Sequence, residues 1–285
     1  MPEGASLPER MQQAGPRLTP RQRQAAEWIA RTFPQVAFLT AAQVAREAGV
    51  SEATVIRLAV ALGYAGYPEL QAAAREGLGR TLRTFSRQAA DAQGPGGVLH
   101  RVLEQEAANI RGLRNHITEA DFERAVNLLC EAEAIHVVGA RSSRFLAQYL
   151  GFILRAMLGP MVHILDGGVG DAAPHVAGMG PGHVAVVFTF PRYTRTTVDI
   201  ARAARRRGAA VVGITDSPLS PLVPHSTVAF TCPIDSGFTW DSYAAAFGLA
   251  GALLGAVSLG LRERVVRTLG RLEEALKDLD PFLGP

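Results

Sequence analysis

Five short apolar runs alternate with helical ones through the last two thirds of the chain, and no other feature limits the possible folds as much. The runs are "AIHVVG" (134–139), "MVHIL" (161–165), "VAVVFTF" (184–190), "AAVVGIT" (209–215) and "TVAFTC" (227–232). They are apolar along their length, as strands buried on both faces must be. Between the first two lies "SRFLAQYLGFILRAML", and between the third and fourth "TTVDIARAARRRG". Strands joined through helices imply crossover connections, hence a parallel sheet with helices on both faces.

Before residue 95 no strand pattern occurs, only successive helical ones. The stretch "DAQGPGGVLH" (Asp91–His100), rich in Gly with one Pro, reads as a linker. The expected organisation is a helical domain over 1–90, a linker and connecting helix over 91–118, a doubly wound α/β domain over 119–262, and a helix or tail over 263–285.

Bulk composition excludes more than it selects. A hydrophobic content of 48% and a formal charge of +3 fit a globular protein with a real core, and the charge is too small to argue for nucleic acid. Lys277 is the sole lysine, so the positive charge is carried by arginine, whose forks suit phosphate or carboxylate, although a compositional bias of the genome explains the choice equally well. Cys130 and Cys232 stand far apart with no ligand spacing around them, so neither a metal site, a disulfide framework nor a cofactor is expected. The polar start "MPEGASLPERMQQAGPRLTP" lacks the apolar core of a signal peptide. "AAAFGLAGALLGAVSLGL" (Ala244–Leu261) is uncharged and just long enough to span a bilayer. Its dominance by Ala and Gly favours a buried helix with close neighbours, and a cytoplasmic protein without a membrane is expected.

The most informative local stretch is "LTAAQVAREAGVSEATVIRLAVALGY" (Leu39–Tyr64). Thr40 suits the cap of a short helix with Val44 and Ala45 inward, Gly49 a left-handed helix end, and Ser51 the cap of a second helix with Glu52 in its first turn. Val55 and Leu58 face inward; Ser51, Glu52, Ala53, Thr54, Ile56, Arg57 and Val60 are left outward. Two short helices meeting across such a turn form the helix-turn-helix arrangement, whose second helix enters the DNA major groove. The DNA-binding set is read as Thr40, Ser51, Glu52, Ala53, Thr54, Ile56 and Arg57, with Arg57 able to pair with guanine or grip a phosphate. Arg21, Arg23, Arg31, Arg75, Arg80 and Arg83 are further candidates for phosphate contact. The competing reading is a helical hairpin that binds protein.

The segment "GVSEATVIRLAVALGYAGYPEL" resembles the amino-terminal domain of the RpiR family of bacterial transcriptional regulators, although that family usually has a polar residue where Ile56 stands. Residues 100 to 262 resemble the phosphosugar-binding SIS domain that forms the second half of such regulators. The resemblance places Gly139 and Ser143 on a G-x-G-x-S loop, with Arg141 where a second glycine is usual, and Ser142 adds a hydroxyl beside it. It places the S-x-S-G-x-T loop on Thr189, Phe190, Pro191, Arg192, Tyr193 and Thr194, and Ser220-Pro221-Leu222 on a third element. Pro191 removes an N–H donor and Arg192 puts a side chain where close backbone approach needs none. A guanidinium fork thus stands in for an amide cradle, open to phosphate or carboxylate, unless Arg192 pairs with an acid or a partner subunit. The effector set is Gly139, Arg141, Ser142, Ser143, Thr189, Arg192, Tyr193 and Thr194.

An isomerase would need a base, and Glu104, Glu106, His175 and His183 are available, but none forms a recognisable pair; His136, inside a strand, reads as a core residue. The expectation is therefore no catalytic residue and no enzyme. It is a regulator that binds a double-stranded operator as a homodimer or dimer of dimers, with dimer contacts through the helix near 243–261, and that answers to a small anionic effector, phosphosugar-like or a carboxylate. The alternatives are a phosphosugar isomerase and a metabolite sensor acting on a protein partner.

Overall fold

The computed structural model describes residues 7–32, 36, 39–74, 94–165, 169–238 and 240–279. The chain divides into two compact units: residues 1–109 with the segments 216–223 and 234–242, and residues 110–215 with 224–233 and 243–285.

In the first unit, α1 (Leu7–Ala14), α2 (Pro20–Arg31), α3 (Ala41–Ala48), α4 (Glu52–Ala61) and α5 (67–74) enclose a core that includes Met11, Ala25, Ile29, Val44, Val55, Leu58, Leu62 and Leu70. The helix starts follow from local chemistry. Thr19 and Thr40 each form a reciprocal capping box with the glutamine three residues on, Gln22 and Gln43, so two of the unpaired amides at each helix start are satisfied. Leu219, on the loop after the fourth strand, is buried in this helical core and packs beside Gly15.

In the second unit, β1 (Ala134–Gly139), β2 (Val162–Leu165), β3 (His183–Phe188), β4 (Ala210–Thr215) and β5 (Val228–Thr231) form one parallel sheet of order β2-β1-β3-β4-β5. The strands fall on the five apolar runs. Between them lie α8 (Ser143–Leu158), α9 (Val169–Gly178) and α10 (Arg195–Arg206); α7 (Glu119–Cys130) precedes the sheet, and α11 (Ala244–Gly260) and α12 (Arg262–Leu279) follow it. Gly151 lets α8 press onto Ile164 and Val137: a Cβ there would stand 2.5 Å from the Ile164 side chain. His136 and Val138 lie on the opposite face, because successive side chains alternate across a strand.

Two expectations change. The glycine-rich segment read as a linker is helical from Gly94, as the start of α6 (Gly94–Gly112); Pro95 lies in the first turn, where its missing N–H costs no intrahelical bond. Residues 91–93 lie outside the described residues. The Ala/Gly-rich α11 is buried on one side only, through Ala245, Ala246, Leu249, Ala250, Leu253, Leu254 and Val257, while Phe247, Gly251, Gly255 and Leu259 stay outward. No single described helix is long and apolar enough to cross a membrane.

Candidate functional site

The first candidate surface is α4 with the turn before it. Gly49 sits at φ 67, the left-handed conformation that only glycine adopts without strain, and its N–H closes α3 onto Ala45 and Arg46. Gln24 of α2 donates to the Ala48 carbonyl at 2.9 Å, so the turn is clamped from a third helix. Nothing near Gln24 in the chain marks that clamp, whose acceptor lies 24 residues away. Arg10 reinforces the far end of α4, donating to the Gly63 carbonyl at 3.0 Å and lying over the Tyr64 ring.

On this frame Thr40, Ser51, Glu52, Ala53, Ile56 and Arg57 are exposed, Ile56 at 42%. Val60, one turn beyond Ile56, is 56% exposed.

Thr54 differs from its expected outward position. It is only 7% exposed, and its hydroxyl pairs with Ser51 Oγ at 2.8 Å while Ser51 Oγ accepts from the Thr54 amide at 3.2 Å. Being third in the helix and one position before the buried Val55, Thr54 falls on the inner edge of the apolar stripe. It completes the cap and does not face outward. Arg23 likewise serves the fold, donating to the Gly15 carbonyl at 2.9 Å, and Arg21 bonds Gln24 Oε1 at 3.1 Å. The Arg31 side chain and Arg75, Arg80 and Arg83 lie outside the described residues.

The second candidate surface lies at the carboxyl ends of β1 and β3. These strands are neighbours, Gly139 opposite Phe188, and the chain winds outward from them in both directions, which is where open α/β sheets bind ligands. The two loops that leave them are the ones picked out in the sequence. Both feed a helix start, α8 at Ser143 and α10 at Arg195, so amides and positive dipole ends point at the crevice.

Gly139 is buried, and its need for glycine comes from packing: a Cβ would meet the Ser143 carbonyl oxygen at 2.5 Å and the Ala147 Cβ at 2.9 Å. Close approach of α8, rather than of a ligand, fixes that residue. Arg141 follows at φ 55 with its side chain exposed. Ser142 Oγ lies 2.8 Å from the Tyr243 hydroxyl, and the Tyr243 ring packs on Phe190 with centroids 5.1 Å apart. Tyr243 thereby ties the first loop to the second. Sequence reasoning missed it, for nothing near Tyr243 in the chain marks its partners 53 and 101 residues away. Ser143 and Thr189 are buried, and the Thr189 amide donates to the Ile214 carbonyl at 3.1 Å, so both act as floor. Arg192 is exposed, and Tyr193 and Thr194 are half-buried; Thr194 is the cap residue of α10 and makes no side-chain cap bond.

The residues weighed as isomerase bases are accounted for differently. Glu104 is exposed, Glu106 accepts a hydrogen bond from Ser242, and His175 and His183 stand with His136 and His163 in one aromatic cluster. Among the described residues no group of three or more side chains is placed to hold a metal ion.

Known proteins match this arrangement in both halves. A family model described as the helix-turn-helix domain of the rpiR family matches residues 5–79, and the SIS domain model matches residues 128–255. The HTH-type transcriptional regulator HexR of Pseudomonas aeruginosa is 28% identical over 232 residues, spanning 80% of this chain and 79% of that protein. Among solved structures, the sugar isomerase domain of an RpiR transcription factor from Sphaerobacter thermophilus superposes with a TM-score of 0.58 at 24% identity, covering 61% of this chain and 97% of that one. The Vibrio vulnificus NanR protein, solved in complex with ManNAc-6P, gives a TM-score of 0.58 at 20% identity over 95% of this chain and 98% of its own. With an rpiR-type helix-turn-helix followed by a SIS domain, the chain belongs to the RpiR family of transcriptional regulators.

Proposed function

We propose that α4 lays Arg57, Ile56 and Glu52 against a major groove of a pseudo-palindromic double-stranded operator, and that the crevice between the β1 and β3 loops takes a small anionic metabolite, a sugar phosphate or a related acid. The observation that carries this reading is the pair of exposed arginines, Arg141 and Arg192, on the two loops that leave adjacent strands at the winding point of the sheet. Two helix starts aimed at the same crevice add donors and positive potential, and Pro191 shifts the work from backbone amides to guanidinium forks. The ManNAc-6P bound by NanR supports a sugar phosphate as the ligand class.

Self-association, as a homodimer or a dimer of dimers, is part of the same reading, because a symmetric operator needs two reading heads. The second unit offers an apolar surface for it. Phe145, Tyr149 and Phe152 form an exposed stripe along α8, continued by Phe247 of α11 in edge contact with Tyr149 at 5.2 Å. The effector acts by favouring one arrangement of the paired heads over the other.

Calorimetry with a panel of sugar phosphates and small organic acids tests the crevice. Loss of charged hydrogen bonds in Arg192→Ala is expected to weaken the best ligand by about ten- to a hundredfold, with operator affinity unchanged across a salt series. An unaltered ligand Kd in that variant overturns the assignment of Arg192.

A further inference from the structure

Four of the chain's seven histidines meet on one face of the sheet. Register places three of them there: His163 of β2 pairs with His136 of β1, and His183 of β3 pairs with Ala134, two residues before His136 and on the same face. His175 of α9 covers them. The His136 ring lies 5.0 Å from that of His163, 5.5 Å from that of His183 and 6.0 Å from that of His175, and His163 lies 5.1 Å from His175.

His136 is only 3% exposed. Its Nε2 faces His183 Nδ1 at 3.3 Å, so one shared hydrogen serves both rings, while its Nδ1 is buried without a partner among the described residues. The rings of His163 and His183 are nearly parallel to that of His136, at 22° and 20°, so the nitrogens run side by side rather than converging on a point as metal ligands do.

We propose that this cluster is an acid-triggered latch on α9: the stacked imidazoles pack the helix onto the sheet, and proton uptake at His136 and His163 puts charge among them and releases it. The charges on the surrounding elements are few. Arg155 of α8 donates to the Val162 carbonyl at 3.0 Å near His163, and Arg207, after α10, donates to the Val176 carbonyl of α9 at 2.8 Å. The acids are Asp171, one turn ahead of His175 on α9, and Glu133, against Gly182 just before β3. The helix is a weak one, ten residues long with Pro174 inside it, which removes one rung of its hydrogen-bond ladder.

Burial, then the neighbouring imidazoles of His163, His183 and His175, hold His136 down at about 4. Burial, His175, Arg155 and His183 lower His163 as well. Both groups bind protons less well in the closed state than in the open one. Closure is therefore at full strength above about pH 6.5 and weakens as pH falls toward the lowered value of His136. For His136 alone, opening should rise about tenfold between pH 7.5 and 5.5. None of this depends on what the crevice binds.

Hydrogen exchange of the full chain at pH 7.5 and 5.5, corrected for the intrinsic rate, tests the latch, with an NMR titration of the histidine ring protons beside it. The α9 amides are expected to open about tenfold more at the lower pH, those of α11 less than twofold. His136→Leu should cut the α9 rise below about threefold, and His175→Gln, at the partly exposed rim, should reduce it in part. An α9 opening that ignores pH, or a His136 ring titrating at its ordinary value, overturns the proposal. So does tight stoichiometric zinc binding at pH 7.5 that disappears in His136→Leu, which would make the cluster a metal site.

Discussion

In the helix-turn-helix the caps and the left-handed turn are set by residues within one or two turns of them, whereas the crevice and the histidine face draw on strands and loops far apart in the chain. Ser51 caps through Thr54, and Gly49 closes α3 onto Ala45. Ser142 instead finds Tyr243, and His136 finds His163, His175 and His183. The difference separates two kinds of site. One is encoded locally and is exposed by being left off an apolar stripe; the other exists only once the sheet has its strand order and register.

The largest test of that separation is in the cores. Leu58 is fully buried between the helices of the first unit, and Leu58→Ala should cost about 2–5 kcal/mol there. Gly139→Ala drives a Cβ against the first turn of α8 and should cost about 1–3 kcal/mol in the second unit. Scanning calorimetry should show each substitution lowering a different transition. One shared shift for both variants would mean that the two units unfold as a single cooperative body.

Legibility follows the same line. All five strands and both caps around Gly49 could be read from short stretches, because burial on both faces and cap chemistry leave local marks. Gly139 was found for an incomplete reason: a glycine at a strand end looks like a phosphate approach, but here the close neighbour is α8. Thr54 was misplaced because a residue at the border of a helical stripe has no decisive period. Tyr243 and the histidine cluster were illegible. Each of their residues is unremarkable alone, and only pairing of β1 with β2 and β3 brings the rings together.

A smaller effect sharpens the comparison inside the reading head. Arg57→Ala should weaken operator binding by about 1–3 kcal/mol, roughly ten- to a hundredfold, with the thermal stability of the domain unchanged, because the Arg57 side chain is exposed. Thr54→Val, at a buried position, should do the reverse, lowering stability while shifting operator affinity less than about threefold. Fluorescence anisotropy with operator DNA, beside a melting curve, reads both. Equal losses of affinity in the two variants would return Thr54 to the DNA face.

The smallest expected effect is at Ser51, where cap and contact are hardest to tell apart. Its hydroxyl accepts from the Thr54 amide and pairs with the Thr54 hydroxyl, so it is occupied at the helix start although the residue is exposed. A cap of this kind is worth about 1 kcal/mol, and Ser51→Ala should lose that amount in urea unfolding. Asparagine caps about as well as serine, so Ser51→Asn should restore the stability while changing the shape and donors offered to a groove. If Ser51 serves the cap alone, operator affinity measured below the melting range is unchanged in both variants. If it also touches the duplex, Ser51→Asn keeps its stability and loses affinity, and that split would extend the reading surface to the first residue of the turn.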